Sequence, residues 1–413
     1  MADKNLTIPR QFNEVFVEKN FRILFTARFI SNVGNGIGPI ALAFGVLSLP
    51  GANAASLSLV MFARTLPLII FVLFGGVIAD RYGRAKIVSY SDILLSLFVL
   101  FEAYLFISGS VTVSWLVLLG LVTGILHALW FPAFPGIMPQ VMPEKKLQSA
   151  NSINALGVNS ANVLGYSIGG ILVTLVGPGI AIAIDGLTFL VAGSLIYMLI
   201  KFDKPNQVTD DDTILRDIKL GWKEVRKRTW IIACVCAYSL IVMIYEPLLA
   251  VMGPYQAKTL LNGAPSWAFI AGAHSLGMML GVILAMKLRP RHPLFVGMIF
   301  SATLALWTLS MSFNLPIIFI AFAALLTGIG FDLFFVFWIT TLQTKVPKKS
   351  LSRVLSYDAF GSFLLGPIGL IAAGPLIELI GIKELLAICT VIIIVAVSLS
   401  LTNKSVRKLE LNN

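Results

Sequence analysis

Charged residues are scarce in this 413-residue chain: Asp, Glu, Lys and Arg make up 12% of it, where soluble domains carry about 25%. That shortage excludes an ordinary water-solvated surface. Cysteine is nearly absent, and Cys234, Cys236 and Cys389 all fall inside apolar runs, where a C-x-C pair on one helix points its thiols about 200° apart. Neither a disulfide framework nor a metal centre is expected of them, and they read as packing residues. Histidine is equally rare. None of His127, His274 and His292 stands in H-E-x-x-H or beside a serine and an acid, so enzyme chemistry is not expected, nor is a metal or other cofactor. The run Gly34-Asn35-Gly36-Ile37-Gly38 lies within an apolar stretch rather than after a strand, which excludes a nucleotide-binding loop. A cleavable leader is also not expected, because residues 1–20 are polar and the first apolar run carries no small-residue cleavage site.

Apolar sequence fills the rest: 57% of residues are hydrophobic and the mean hydropathy is +0.90. Crossing roughly 30 Å of hydrocarbon at 1.5 Å per residue takes about 20 apolar residues. Twelve runs qualify, at 21–48, 57–79, 87–108, 113–138, 148–176, 179–200, 231–255, 266–288, 293–313, 316–344, 352–380 and 384–402. The expected fold is an all-α membrane protein of twelve helices. The net charge of +11 suggests nucleic acid at first sight, but 27 of the 31 Lys and Arg residues sit in segments 1–22, 80–88, 139–150, 201–229, 287–292, 345–353 and 403–413, alternating by loop. The positive-inside rule then places both termini in the cytoplasm of a multi-pass protein of the cell membrane. Of the four other cations, Arg28 and Arg64 fall inside spans and need a reason to be there.

Residues 201–229 interrupt the apolar pattern with Asp210-Asp211-Asp212, followed by Ile214, Leu215, Ile218, Trp222 and Val225 at helical spacing among cations. This predicts a cytoplasmic linker with an interfacial helix meeting membrane lipid. It separates an N-terminal six-helix bundle, 1–200, from a C-terminal one, 230–413. An internal repeat supports the division. Shifting by 204 residues superimposes Gly124, Pro143, Lys145, Leu147, Ser152, Ala155, Gly157, Gly165, Gly170 and Gly177 on Gly328, Pro347, Lys349, Leu351, Ser356, Ala359, Gly361, Gly369, Gly374 and Gly381. At a shift of 205, Gly76 meets Gly281, Arg84 meets Arg289 and Lys86 meets Arg291, but Asp80 meets Ala285. Small residues four apart, as in Gly120/Gly124, Gly165/Gly169, Gly277/Gly281 and Gly369/Ala373, predict close helix crossings.

The stretch Gly76-Val77-Ile78-Ala79-Asp80-Arg81-Tyr82-Gly83-Arg84-Ala85-Lys86 closely resembles the loop between the second and third helices of the major facilitator superfamily of transporters. Asn20-Phe21-Arg22, Arg64-x-x-Pro67, Pro143-x-x-x-Leu147-x-x-Ala150-Asn151, Asp185 with Phe189, and Gln343-x-x-Val346-Pro347 are similar to the bacterial branch that holds macrolide efflux proteins and the enterobactin exporter. The resemblance covers essentially the whole chain. It implies two six-helix halves that rock about a central site, with spans 1, 4, 7 and 10 around the cavity. Tyr166 stands where antiporters of this kind carry a proline, and the fourth span lacks the arginine of many drug antiporters.

Buried ionisable groups in a membrane cost at least about 2.5–3.5 kcal/mol each, which makes those retained functional candidates. The four implied cavity spans carry Arg28, His127, Glu246 and Asp332, the last three roughly 20–24 Å from a span end. Glu246 and Asp332 are the first choices for a coupling proton. Trp130 and Phe331, within aromatic clusters on spans 4 and 10, are candidates for lining a pocket for an amphipathic molecule. Asp92, Glu102 and Asp185 lie on support spans, where pairing with Arg64 or with backbone donors is expected, and Asp358 reads as a cap or gate near the hinge. Gly76, Asp80, Arg81, Gly83, Arg84 and Arg353 form the expected conformational gate: Asp80 ends its own helix, where the dipole disfavours it by roughly 0.3–1 kcal/mol, and would meet the start of the eleventh span. The implied function is export of an amphipathic small molecule against protons, with a facilitator or importing symporter as the alternative. No nucleic acid is expected, and the working unit is expected to be a monomer.

Overall fold

The computed structural model describes residues 14–203 and 222–410, and within them all side chains except those of 72–74, 76–77, 80, 148, 348–349 and 352–353. Among the described residues eleven helices are long and apolar enough to cross a membrane. They are α1 (Lys19–Leu47), α2 (Ala54–Tyr82), α3 (Arg84–Ile107), α4 (Val113–Ala133), the stretch Leu147–Tyr197, α7 (Thr229–Leu260), α8 (Ala264–Lys287), α9 (Pro293–Ser312), α10 (Ile317–Lys345), α11 (Lys348–Phe363 continued by Gly366–Ile380) and α12 (Ile382–Thr402). The 51-residue stretch Leu147–Tyr197 is two crossings: Gly177, at φ 82 and ψ 168, breaks it into α5 (147–176) and α6 (178–197). Among the described residues the expected twelve crossings are therefore present. Ile214, Leu215 and Ile218 of the linker lie outside the described residues. Trp222 is exposed beside the Tyr357 ring, and Glu224 is held down to about 2 by hydrogen bonds from Lys227 and then Arg228.

The chain forms two compact units, Met1–Pro50 with Val60–Val208, and Gly51–Leu59 with Thr209–Asn413. In the first, α1 and α3 each pack along the α5–α6 pair, and α4 closes on α3. Its two cores centre on Phe21, Leu24, Ile137 and Leu199, and on Ile37, Leu95, Val99 and Phe189. In the second, α10 packs on α8 and α9, and α7 packs on α11 and α12. The segment Gly51–Leu59 belongs here: Glu378 accepts a hydrogen bond from the Ala55 N–H at 3.1 Å, and Ser58 Oγ accepts one from the Gly374 N–H at 2.6 Å.

The duplicated glycines do the same work twice. Gly177 and Gly381 both turn the chain at positive φ, 82° and 93°, where only glycine is free of strain, and each leads into the last helix of its half. Gly124 of α4 lies against the Arg64 carbonyl of α2, and Gly328 of α10 against the His274 carbonyl of α8. Gly165 of α5 lies against the Val33 carbonyl of α1, and Gly369 of α11 against the Met243 carbonyl of α7. Lipid tails give apolar helices no reason to prefer one another, so backbone approach through small residues is what fixes these crossings. The Gly34/Gly38 face of α1 serves a different need: it makes room for the Asp185 carboxylate of α6, while Gly36 meets Gly165.

Candidate functional site

In the first unit the buried charges have company. Arg28 of α1 lies over two stacked rings of α4, its Cζ 4.5 Å from the Trp130 centroid and 4.6 Å from that of Phe134, with the rings 5.0 Å apart. Asp92 of α3 acts on it electrostatically, although Arg28 Nε and Nη1 make no hydrogen bond. A guanidinium on aromatic faces keeps much of its stabilisation without water. Arg64 of α2 pairs with Glu102 of α3 at 3.8 Å, which gives the reason for a cation in that span. Asp185 feels both members of the pair. Glu102 and Asp185 are each 3% exposed, and Asp185 Oδ1 has no hydrogen-bond donor. His127 Nδ1–H donates to the Thr123 carbonyl at 2.9 Å, with its ring edge-on to Phe189.

In the second unit the buried carboxylates Glu246, Asp332 and Asp358 have no such company among the described residues. Tyr238 of α7 lies within electrostatic reach of Asp332, Asp358 and Glu246 together. Among the described residues none of the three is in a salt bridge. Glu246 sits where α7 changes step, immediately before Pro247 and the π-helical turn Leu248–Met252, with Gly366 of α11 beside its Cγ. Proline removes one helical hydrogen bond, and the wider turn absorbs it. Asp332 projects from α10 with its Cβ facing Gly281 of α8. Phe331, only 6% exposed, is buried in a chain of rings from Tyr238 through Tyr245, which stacks on it at 4.5 Å, to His274, whose Nε2 is 3.4 Å from the Tyr245 hydroxyl.

Beside Tyr238 opens a cavity of about 230 Å³ between α7, α10 and α11, walled by Phe334, Phe335 and Trp338 and floored by Cys234. Its one acid is Asp358. Trp338 Nε1–H donates to Asp358 Oδ2 at 2.9 Å and Ser362 Oγ–H to Oδ1 at 3.2 Å. Of the expected cap or gate, the cap is corrected: Asp358 lies within α11 rather than at its start, and its carboxylate faces Trp338 of α10. Cys236, expected to pack, is instead exposed, while Cys234 and Cys389 are buried.

The gate residues divide. The Asp80 and Arg353 side chains, with the surroundings of Gly76, lie outside the described residues. Arg81 is exposed with its guanidinium 5.8 Å from the Tyr82 ring, Gly83 has φ 100, and the Arg84 side chain packs against Gly136. One contributor escapes local reading. Asp203, just past the 3-10 turn Ile200–Phe202 that follows α6, accepts hydrogen bonds from the Ala85 and Lys86 N–H groups at 2.8 and 2.9 Å and so caps the start of α3. The second unit has a looser counterpart: Glu410, beyond α12, pairs with Arg291 between α8 and α9 at 3.0 Å.

The family model for the Major Facilitator Superfamily matches residues 23–370. The chain is 25% identical to the multidrug efflux pump Tap of Mycolicibacterium fortuitum over 87% of its own length and 89% of the relative's. It is 24% identical to macrolide efflux protein A of Streptococcus pyogenes over 95% and 97%. A solved structure of a bacterial homologue of the human lysosomal transporter Spinster superimposes with a TM-score of 0.70 at 15% identity, covering 93% of this chain and 97% of that one.

Proposed function

Because the chain belongs to the Major Facilitator Superfamily, and is therefore a multi-pass secondary transporter rather than an enzyme, we propose that it exports an amphipathic small molecule from the cytoplasm in exchange for protons. The observation that carries this reading is that Glu246, Asp332 and Asp358 all lie within electrostatic reach of Tyr238, with none of them in a salt bridge among the described residues and aromatic rings lining the cavity beside Asp358. A carboxylate kept in such a place is able to take a proton from one side and release it to the other as the site changes access. The efflux named for the two relatives supports the outward direction. On this reading bundles 1–200 and 230–413 rock about the linker 201–229 in the cell membrane, with both termini cytoplasmic. Asp80, flanked by Arg81, Gly83 and Arg84 after Gly76, latches the cytoplasmic side near Arg353. Because Ala285 holds the matching position of the other half, Asp80→Asn leaves no second latch and slows turnover.

Transport of a fluorescent amphipathic dye into membrane vesicles tests the proposal. Energised everted vesicles should concentrate it, and collapsing the proton gradient should release it. Concentration by right-side-out vesicles instead would establish import.

A further inference from the structure

The two halves carry the same aromatic pair but treat it differently. At the repeat shift of 204, Trp130 and Phe134 of α4 fall on Phe334 and Trp338 of α10. Both pairs are stacked, at 5.0 Å and 16° in the first half and 5.9 Å and 17° in the second. The helix facing each pair follows another register, set by the duplicated glycines. Gly157 meets Phe25 and Gly361 meets Val235, Gly165 meets Val33 and Gly369 meets Met243, and both α1–α7 correspondences are 210 residues apart. In that register Arg28 corresponds to Tyr238.

The first half therefore seats a guanidinium of its own on the rings, while the second replaces it with a neutral phenol. The Tyr238 ring lies 5.0 Å from Phe334 at 20°, taking the place of the Arg28 guanidinium over Trp130. A second exchange runs the opposite way in charge. Asn154 of α5 falls on Asp358 of α11 at the shift of 204, so where the first half has a cation and a neutral amide the second has a neutral phenol and an anion. The cavity of about 230 Å³ lies there, and no Lys, Arg or His is among its lining residues. Asp358 accepts two hydrogen bonds from Trp338 and Ser362, about half the capacity of a carboxylate.

From this correspondence we propose that the cavity between Tyr238, Phe334, Trp338 and Asp358 binds the cationic end of an organic substrate, a substituted ammonium or guanidinium group. The inference rests on the transport reading and specifies its substrate class. Aromatic walls with a carboxylate select a weakly hydrated cation over an inorganic one, because ring faces attract charge but cannot replace a full hydration shell. The volume falls below the roughly 300–1,000 Å³ of pockets for whole drug-sized molecules, so the cavity takes one end and leaves the apolar remainder outside it.

The test is equilibrium binding to the purified full chain, read by tryptophan fluorescence and calorimetry, of meta-hydroxyphenyl trimethylammonium and its neutral isostere meta-tert-butylphenol. The pair has one shape and differs by a permanent charge, and measurement at about pH 6 keeps both phenols protonated. The parent should prefer the cation by roughly tenfold or more, a comparison that needs no variant. Asp358→Asn should bring the ratio near unity. Tyr238→Arg, which rebuilds the arrangement of the first half, should abolish cation binding. A parent without preference, or a preference that survives both substitutions, overturns the inference. Transport in proteoliposomes without any charge preference defeats the cation site alone, whereas failure to transport any amphipathic compound defeats the transport reading and leaves the binding ratio to judge the cavity.

Discussion

The first unit sets Arg28 and Arg64 among its buried carboxylates, and the second leaves Glu246, Asp332 and Asp358 without a salt bridge among the described residues, although both are built on one repeated plan. Arg64 has Glu102, and Arg28 has Asp92 and two aromatic faces. Glu246, Asp332 and Asp358 lie within electrostatic reach of Tyr238, and none of them is in a salt bridge among the described residues. Paired charge holds a bundle in one arrangement, since breaking a pair leaves a bare charge in a medium that solvates it poorly. Unpaired carboxylate does little for stability and is retained for what it binds. On the proposed function, the first half is the scaffold of the site and the second half its chemistry.

That division has consequences for stability, which thermal unfolding in detergent measures. The largest effect is expected at Glu102→Ala, which strands Arg64 and should cost about 3 kcal/mol, whereas Asp332→Asn should be neutral or slightly stabilising. Equal losses at both positions would erase the contrast. Next comes Arg28→Ala: removing the guanidinium from Trp130 and Phe134 should cost about 1–2 kcal/mol, and Arg28→Lys should recover only part of it because an ammonium cannot lie flat on both rings. Smaller again, Asp203→Ala uncovers two N–H groups at the start of α3 and should cost about 1 kcal/mol. Its counterpart Glu410→Ala, which breaks an exposed pair, should change stability by less than about 0.5 kcal/mol. A larger loss at Glu410 than at Asp203 would reverse the order argued here.

Much of this was legible in the sequence. Length and hydropathy give the twelve crossings, and the boundary between the fifth and sixth lies at Gly177 because a glycine followed by Pro178 ends one helix and starts another. Glycine spacing gives the close crossings, and the cation inside the second span points to the buried Glu102. What escaped depends on contacts between distant segments. Asp203 caps a helix that begins more than a hundred residues earlier, so no local motif records it. Asp358 reads as a gate residue by counting along α11, since rotation of that helix onto Trp338 is set by packing with α10. The match of Arg28 with Tyr238 is hidden because α1 and α7 keep a register of 210 while later helices keep 204. A single shift finds the rings and misses the cation that sits on them.

Proton-driven counterflow in proteoliposomes tests whether proton coupling resides in the second half. With an imposed pH gradient and a fluorescent amphipathic substrate, the Glu246→Gln, Asp332→Asn double variant should exchange substrate down its own gradient yet fail to concentrate it, while Asp185→Asn should still concentrate it. Unimpaired, pH-driven concentration by the double variant, with loss of it in Asp185→Asn, would place the coupling in the first half and contradict the account.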